Sequence, residues 1–173
     1  TTTPSSRRSI RLNMGPEHTR SAAWYAASVI LILSLASSFV AGLLSASAAC
    51  IWLDVPIRVI GDVAVLRHVE NPGIAFGVRI PSPWQEMFIM GALVLVAWIA
   101  VRSSGTLSRI AYGMILGGAL ANIVGRFVDG FGTDYFAVGS FPVFNVPDSC
   151  ITVGVVLLLA ESLLVKRGIR KTS

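Results

Sequence analysis

Four long apolar runs divide the chain. The first, from Ser21 to Ile51, carries no charged residue, and a helix needs only about 20 such residues to cross a hydrocarbon core. The second runs from about Trp84 to Val101 behind Pro81 and Pro83, the third from Ile110 to about Val128, and the fourth from Ser149 to Val165. In the third, Gly113 and Gly117 form a small-xxx-small pair that lets a neighbouring helix approach closely. Trp24, Trp52, Trp84 and Trp98 fall near the predicted span ends, where amphipathic rings form an interfacial belt.

Between Trp52 and Pro83 the period changes. Val55, Ile57 and Val59, then Val63, Val65, Arg67 and Val69, alternate with other residues, and Gly61-Asp62 separates the two runs as a turn. A period of two predicts a small hairpin or sheet outside the bilayer. Residues 71–77, Asn-Pro-Gly-Ile-Ala-Phe-Gly, break that alternation with turn formers. The expected fold is an all-α membrane protein of four transmembrane helices, with a small extracytoplasmic β segment between helices 1 and 2. Residues 1–20 are expected as a disordered basic cytoplasmic tail, 21–167 as a single four-span membrane domain, and 168–173 as a second cytoplasmic tail.

Composition supports that division. A hydrophobic content of 54% against 13% charged leaves too little polar material to coat a water-facing globule, and 173 residues allow one compact domain. The net charge of +5 is positional. Ten of the fourteen Lys and Arg residues lie in the tails (Arg7, Arg8, Arg11, Arg20, Lys166, Arg167, Arg170, Lys171) and the 102–109 loop (Arg102, Arg109). With four spans all three segments fall on one side, and the positive-inside rule makes that side cytoplasmic. The 52–83 segment and the 129–148 loop then face outward. No basic stripe interleaved with exposed aromatics is present, which argues against a nucleic-acid partner.

Other signals are weaker. Ser47-Ala48-Ala49-Cys50 is similar to the box before a lipidated cysteine, but Ser47 stands where a large aliphatic residue is usual, and the apolar run exceeds a normal signal-peptide core. Cys50 and Cys150 form no CxxC motif, and spacing alone does not make them a disulfide. His18 and His68 are too few and too scattered for a zinc or haem site.

Polar and ionisable groups in or beside a span are costly and therefore functional candidates. They are Asn122 and Arg126 in span three, Asp129 and Asp134 after it, Asn145 and Asp148 before span four, and Glu161 near its end. Asn122 and Arg126, four apart, share a helix face. Asp134 and Asp148 stand at the outward ends of spans three and four, joined by a short loop. Asp148, behind Pro147, falls in a first helical turn, where a carboxylate also serves as an ordinary cap; Asp134 also reads as a solvated loop carboxylate. Together they suit acid–base chemistry: two close carboxylates share one proton, the ionised one takes a proton from water, and the protonated one polarises a carbonyl. A helix dipole favours the ionised form of Asp148, leaving Asp134 as the expected proton holder. Asp129 is a rival to Asp134 but lacks the Tyr-Phe that follows it. Glu161 reads as a partner for the tail cations.

Over roughly residues 24–167 the chain resembles the lipoprotein signal peptidase (signal peptidase II) family. Asn71-Pro-Gly-Ile-Ala-Phe76 resembles its Asn-x-Gly-Ala-Ala-Phe segment, and Gly117-Gly-Ala-Leu-Ala-Asn122-Ile-Val-Gly-Arg126 its Gly-Gly-Ala-x-x-Asn-x-x-Asp-Arg helix. Thr133-Asp134-Tyr-Phe and Phe144-Asn145-Val-Pro-Asp148-Ser resemble the two segments that carry its catalytic aspartates. The resemblance implies a four-span aspartic peptidase of the bacterial inner membrane that cuts prolipoproteins before a diacylglyceryl-modified cysteine. By position Asp134 and Asp148 become catalytic, and Asn71, Gly73, Asn122, Arg126 and Asn145 substrate-binding. The implied partners are lipid-modified prolipoproteins and membrane lipid. Neither metal nor cofactor is implied, and a monomer is expected.

Two departures stand out. The family's first-span Asp and Lys are absent, with only Ser37 and Ser38 as polar residues between Leu35 and Leu44, and Gly125 replaces the acid before Arg126. Removing one member of a buried ion pair is costly and removing both is nearly neutral, so the missing Lys and acid are expected to be former partners, and Gly125→Asp is expected to destabilise. A divergent homologue of reduced activity is the simpler alternative. Rival classes are a catalytically impaired homologue acting as a scaffold or lipopeptide-binding protein, another intramembrane aspartic protease, and a small channel. The intact acid pair, the short chain and the lack of mid-span charge argue against them in turn.

Overall fold

The computed structural model describes residues 16–73, 84–166 and 168. Its elements run α1 (Pro16–Trp52), β1 (Ile57–Ile60), β2 (Ala64–Asn71), α2 (Trp84–Arg102), α3 (Thr106–Asp129), β3 (Gly132–Val138) and α4 (Val146–Lys166). Among the described residues, three stretches are long and apolar enough to span: Trp24–Trp52, Thr106–Val128 and Val146–Lys166. The fourth helix, α2, has 19 residues and is apolar from Met87 to Arg102. Its rise of roughly 28 Å nearly matches a hydrocarbon core of about 30 Å. The four-helix expectation therefore holds. Helix α1 starts at Pro16, inside the segment expected as tail.

Helix α3 is the axis of the bundle, with 39% of its apolar window buried within the protein against 17% for α1 and 6% for α4. Small residues permit this central position. A Cβ at Gly117 would lie 2.3 Å from the Leu35 carbonyl oxygen, and one at Gly118 would lie 2.6 Å from that of Pro147. The first glycine admits α1 and the second α4, so the close approach expected at Gly113 and Gly117 is made by α1. Ser34 meets Gly113, Ser38 meets Gly117, and Gly42 meets Ala121. Numbers rise together, so α1 and α3 run parallel. On α4 the order reverses, Pro147 facing Gly118 and Gly154 facing Ala111. Leu31, Ala100 and Leu116 tie α1, α2 and α3 into a core. Most other large apolar side chains, among them Leu33, Leu44, Phe88, Leu95 and Leu159, are exposed and available to lipid.

The sheet is larger than the alternating pattern predicts. β1 and β2 form the expected antiparallel hairpin, turning at Gly61 (φ 49°). A third strand, β3, pairs antiparallel with β2 in the order β1-β2-β3. It occupies what reads in sequence as a loop between spans three and four, and it carries Asp134. Its run Thr-Asp-Tyr-Phe-Ala-Val is rich in β-branched and aromatic residues and is bounded by Gly132 and Gly139, a strand signal too short to stand out between two spans. Residues 74–80, which hold the remainder of the Asn71–Gly77 turn segment, lie outside the described residues.

A Cβ at Gly125, where the acid before Arg126 is missing, would meet nothing within 4 Å.

Candidate active site

Helix α3 ends at Gly130, whose left-handed backbone (φ 82°) lets its N–H close on the Arg126 carbonyl. The chain re-enters at Gly132 as β3, with Gly132 opposite Asn71 of β2. This register brings the Asn71 side-chain amide to Asp134, donating to Oδ2 at 2.8 Å. The other end of that amide, Oδ1, accepts the Gly73 N–H at 2.9 Å, which fixes its orientation. Arg126 Nη1 reaches the Asn71 carbonyl at 3.5 Å. Its Nη2 lies 2.9 Å from where a Cβ on residue 132 would sit, so Gly132 makes room for the guanidinium. Arg126 thus turns toward the β2–β3 pair.

After β3 the chain turns at Gly139 (φ 52°) and returns, Phe144 exchanging backbone hydrogen bonds with Tyr135 and Phe136. That return sets Asn145 against the strand. Asn145, 3% exposed, shares the two protons of its Nδ2 among Asp134 Oδ1 (2.8 Å), Asn122 Oδ1 (3.1 Å) and the Thr133 carbonyl (3.2 Å). Asn122, on the inner face of α3, donates from its own Nδ2 to Asp148 Oδ1 at 2.8 Å. The two carboxylates, from β3 and α4, are therefore joined through two neutral amides. The spacing of Asn122 and Arg126 works as read, since both face the same cavity.

Asp148 lies in the first turn of α4. Its N–H donates to Asn145 Oδ1 at 2.8 Å, and its Oδ2 accepts the Asn145 N–H at 3.4 Å. Pro147 precedes it without an N–H to leave unpaired. Asp134 is 4% exposed and Asp148 half-buried. Burial pushes the Asp134 carboxyl above its ordinary range, helped by the Asp148 charge and opposed by the Asn71 and Asn145 amides and by Arg126.

The cavity holds about 630 Å³, within the size range of small-ligand sites. Asn71, Asn122, Arg126, Asp134, Asn145 and Asp148 form its polar side, and Ile89, Ile123, Ile151 and Val153 an apolar wall. A smaller cavity of about 130 Å³ behind Arg126 is lined by Pro72, Met90 and Phe127. Six of the seven sequence candidates thus converge. Gly73 is not among the cavity's described lining residues; it holds Asn71. The Asp129 side chain lies outside the described residues. Glu161 sits at the other end of the bundle, where the Ser108 hydroxyl donates to it beside Gly105. Of the tail cations expected to pair with it, Lys166 has a described side chain, and the side chains of the others lie outside the described residues. Both cysteines are free. Sequence reading missed Tyr135, a buried residue next to Asp134 whose hydroxyl bonds to both α1 and α4.

Fold and cavity define a multi-span membrane protein with a sheltered two-carboxylate site at the sheet-bearing end of its bundle. A family profile described as Signal peptidase (SPase) II matches residues 26–164, and the chain belongs to that family. It is similar to proteins named "Lipoprotein signal peptidase" from several bacteria. The one from Rhodococcus jostii is 36% identical over 116 residues, covering 63% of this chain and 59% of the relative. The one from Mycolicibacterium smegmatis is 32% identical over 142 residues, covering 70% and 60%. The one from Caldicellulosiruptor bescii is 31% identical over 129 residues, covering 73% and 83%. The chain spans about three-fifths of the length of the first two relatives. A solved structure described as a bacterial membrane enzyme, determined by the in meso method, superposes with a TM-score of 0.63 at 21% identity. It covers 80% of this chain and 92% of its own, and shares the fold.

Proposed function

We propose that this protein is a membrane aspartic endopeptidase that removes signal peptides from prolipoproteins, cutting before a diacylglyceryl-modified cysteine. The observation that carries this reading is the meeting of Asp134 and Asp148 in one amide-lined cavity. Asp148 is the general base, removing a proton from a water held between the acids as that water attacks the scissile carbonyl. Asp134, which burial biases toward its protonated form, gives its proton to the carbonyl oxygen. The tetrahedral diol collapses as the proton held by Asp148 passes to the leaving nitrogen and one diol hydroxyl returns its proton to Asp134, so the pair again holds one proton for the next substrate and water.

The remaining polar residues hold the substrate. A peptide entering from lipid arrives with backbone groups that have no water partners. Asn71, Asn122 and Asn145 supply amide donors and acceptors, and Arg126 a charged donor, with Gly73 keeping Asn71 in register. The apolar wall of Ile89, Ile123, Ile151 and Val153 suits the signal-peptide helix and the acyl chains. The positive-inside bias of the tails and the 102–109 loop sets both termini in the cytoplasm and the cavity at the outer face, where a lipid-anchored substrate arrives by lateral diffusion.

The test is a matched pair of prolipoprotein substrates in detergent micelles, one carrying diacylglyceryl on the cysteine and one unmodified. Mass spectrometry should find a single cut on the amino side of the modified cysteine and none in the unmodified chain. Equal cutting of both, or cutting elsewhere, contradicts the reading.

A further inference from the structure

Asp134 and Tyr135 are consecutive on β3, so their side chains leave opposite faces of the strand. Asp134 faces the cavity. Tyr135, 4% exposed, enters a small core with Ala49 and Leu53 at the end of α1. Its hydroxyl donates to Ser45 Oγ at 2.6 Å and accepts the Val146 N–H at 3.0 Å. Ser45 donates in turn to the Gly42 carbonyl at 2.9 Å.

Val146 is the first residue of α4, and the leading N–H groups of a helix have no partner within it. In α4 each is accounted for. Val146 N–H goes to Tyr135 and Pro147 has none. Asp148 N–H goes to Asn145 Oδ1, and Ser149 N–H to the Asn145 carbonyl at 3.1 Å. Two consecutive strand residues therefore grip two consecutive residues at the head of α4: Asp134 binds Asn145 on one face, and Tyr135 binds Val146 on the other. A phenol has a single proton. Giving it to Ser45 leaves the oxygen free to accept from Val146, so Ser45 sets the direction of the chain.

We infer that Tyr135 is a positioning residue for the acid pair, with its hydroxyl oriented by Ser45. It locks the first turn of α4, and hence Asp148, at a fixed offset from Asp134. This assignment rests on the peptidase reading for its consequence in turnover, but the lock itself is a property of the fold. Loosening it separates Asp148 from Asp134. The charged groups among the cavity's described lining residues are Asp134, Asp148 and Arg126. A more distant Asp148 raises the Asp134 carboxyl less, so the alkaline limb of the pH–rate profile moves to lower pH.

Tyr135→Phe keeps the ring and removes the tie. With the diacylated substrate, kcat should fall about ten-fold while KM stays within about two-fold, the pattern of a misaligned reacting group rather than lost binding. The alkaline limb should shift downward, which a smaller folded fraction alone does not produce. Ser45→Ala should lower kcat in the same direction, Ser45→Thr should restore it, and the double variant should be no worse than Tyr135→Phe alone. Independently of turnover, amide hydrogen exchange in residues 144–149 should accelerate in Tyr135→Phe while the rest of α4 is unchanged. Wild-type exchange rates there in Tyr135→Phe overturn the lock. Faster exchange with unaltered kcat and pH profile overturns the positioning role. An inactive wild type with faster exchange in the variant refutes the peptidase reading and leaves the lock standing.

Discussion

Asn145 and Asp148 cap one another at the head of α4, the Asp148 N–H on Asn145 Oδ1 at 2.8 Å and the Asn145 N–H on Asp148 Oδ2 at 3.4 Å. This is a reciprocal capping arrangement, in which two orphan donors of a helix start are satisfied by each other's side chains. Its location is unusual because Asn145 also donates to Asp134. One residue thus both starts the helix and couples the two acids. The alternative readings of Asp148, cap or reacting group, are consequently not exclusive: capping is what holds the carboxylate in place.

The two duties of Asn145 separate by substitution. Ser retains cap function but lacks the amide that reaches Asp134 and Asn122. Asn145→Ser keeps the cap but strips a buried amide from its acceptors, so it should cost about 1–3 kcal/mol in stability while kcat falls about 100-fold, a loss on the scale of misplaced acid–base chemistry. Thermal melts and single-turnover cleavage check the pair of outcomes; a loss of stability that accounts for all lost activity contradicts it.

Burial raises the Asp134 carboxyl above its ordinary value of 3.8. The folded state therefore binds a proton more tightly than the unfolded chain. The stability this contributes is full below the unfolded value and is lost as pH rises through the folded one. In Asp134→Asn that dependence is gone. The difference in melting temperature, variant minus wild type, should grow in the variant's favour from about pH 4 to about pH 7. A difference that is flat across that range contradicts the raised carboxyl.

Packing of α3 predicts opposite results at two glycines. Gly117→Ala drives a methyl toward the Leu35 carbonyl and should cost about 1–3 kcal/mol by overpacking. Gly125→Ala meets nothing within 4 Å and should gain up to about 1 kcal/mol from helix propensity. Detergent-micelle unfolding measures both, and equal effects at the two sites would contradict the packing.

Much of this arrangement is legible in the sequence because a membrane simplifies the code. Four apolar runs give the helices, and polar residues that lipid does not tolerate, such as Asn122 and Arg126 at helical spacing, mark the inward face. Strand β3 is harder to read. Seven residues between two spans carry too short a pattern to distinguish from a loop, and their pairing with β2 depends on contacts over 60 residues away. The role of Tyr135 is hidden for the same reason, since its partners Ser45 and Val146 come from two other elements.

The central claim is that Asp134 and Asp148 act as one unit on one water. Its most direct test is single-turnover cleavage of a diacylated prolipoprotein by wild type, Asp134→Asn, Asp148→Asn and the double variant, each shown folded by its melt. Each single variant should lose at least about 1,000-fold in rate, and the double variant should lose no more than either single one, because groups that act as a unit are not additive. A single variant that cleaves at the wild-type rate, or two partial losses that multiply in the double variant, contradicts the account.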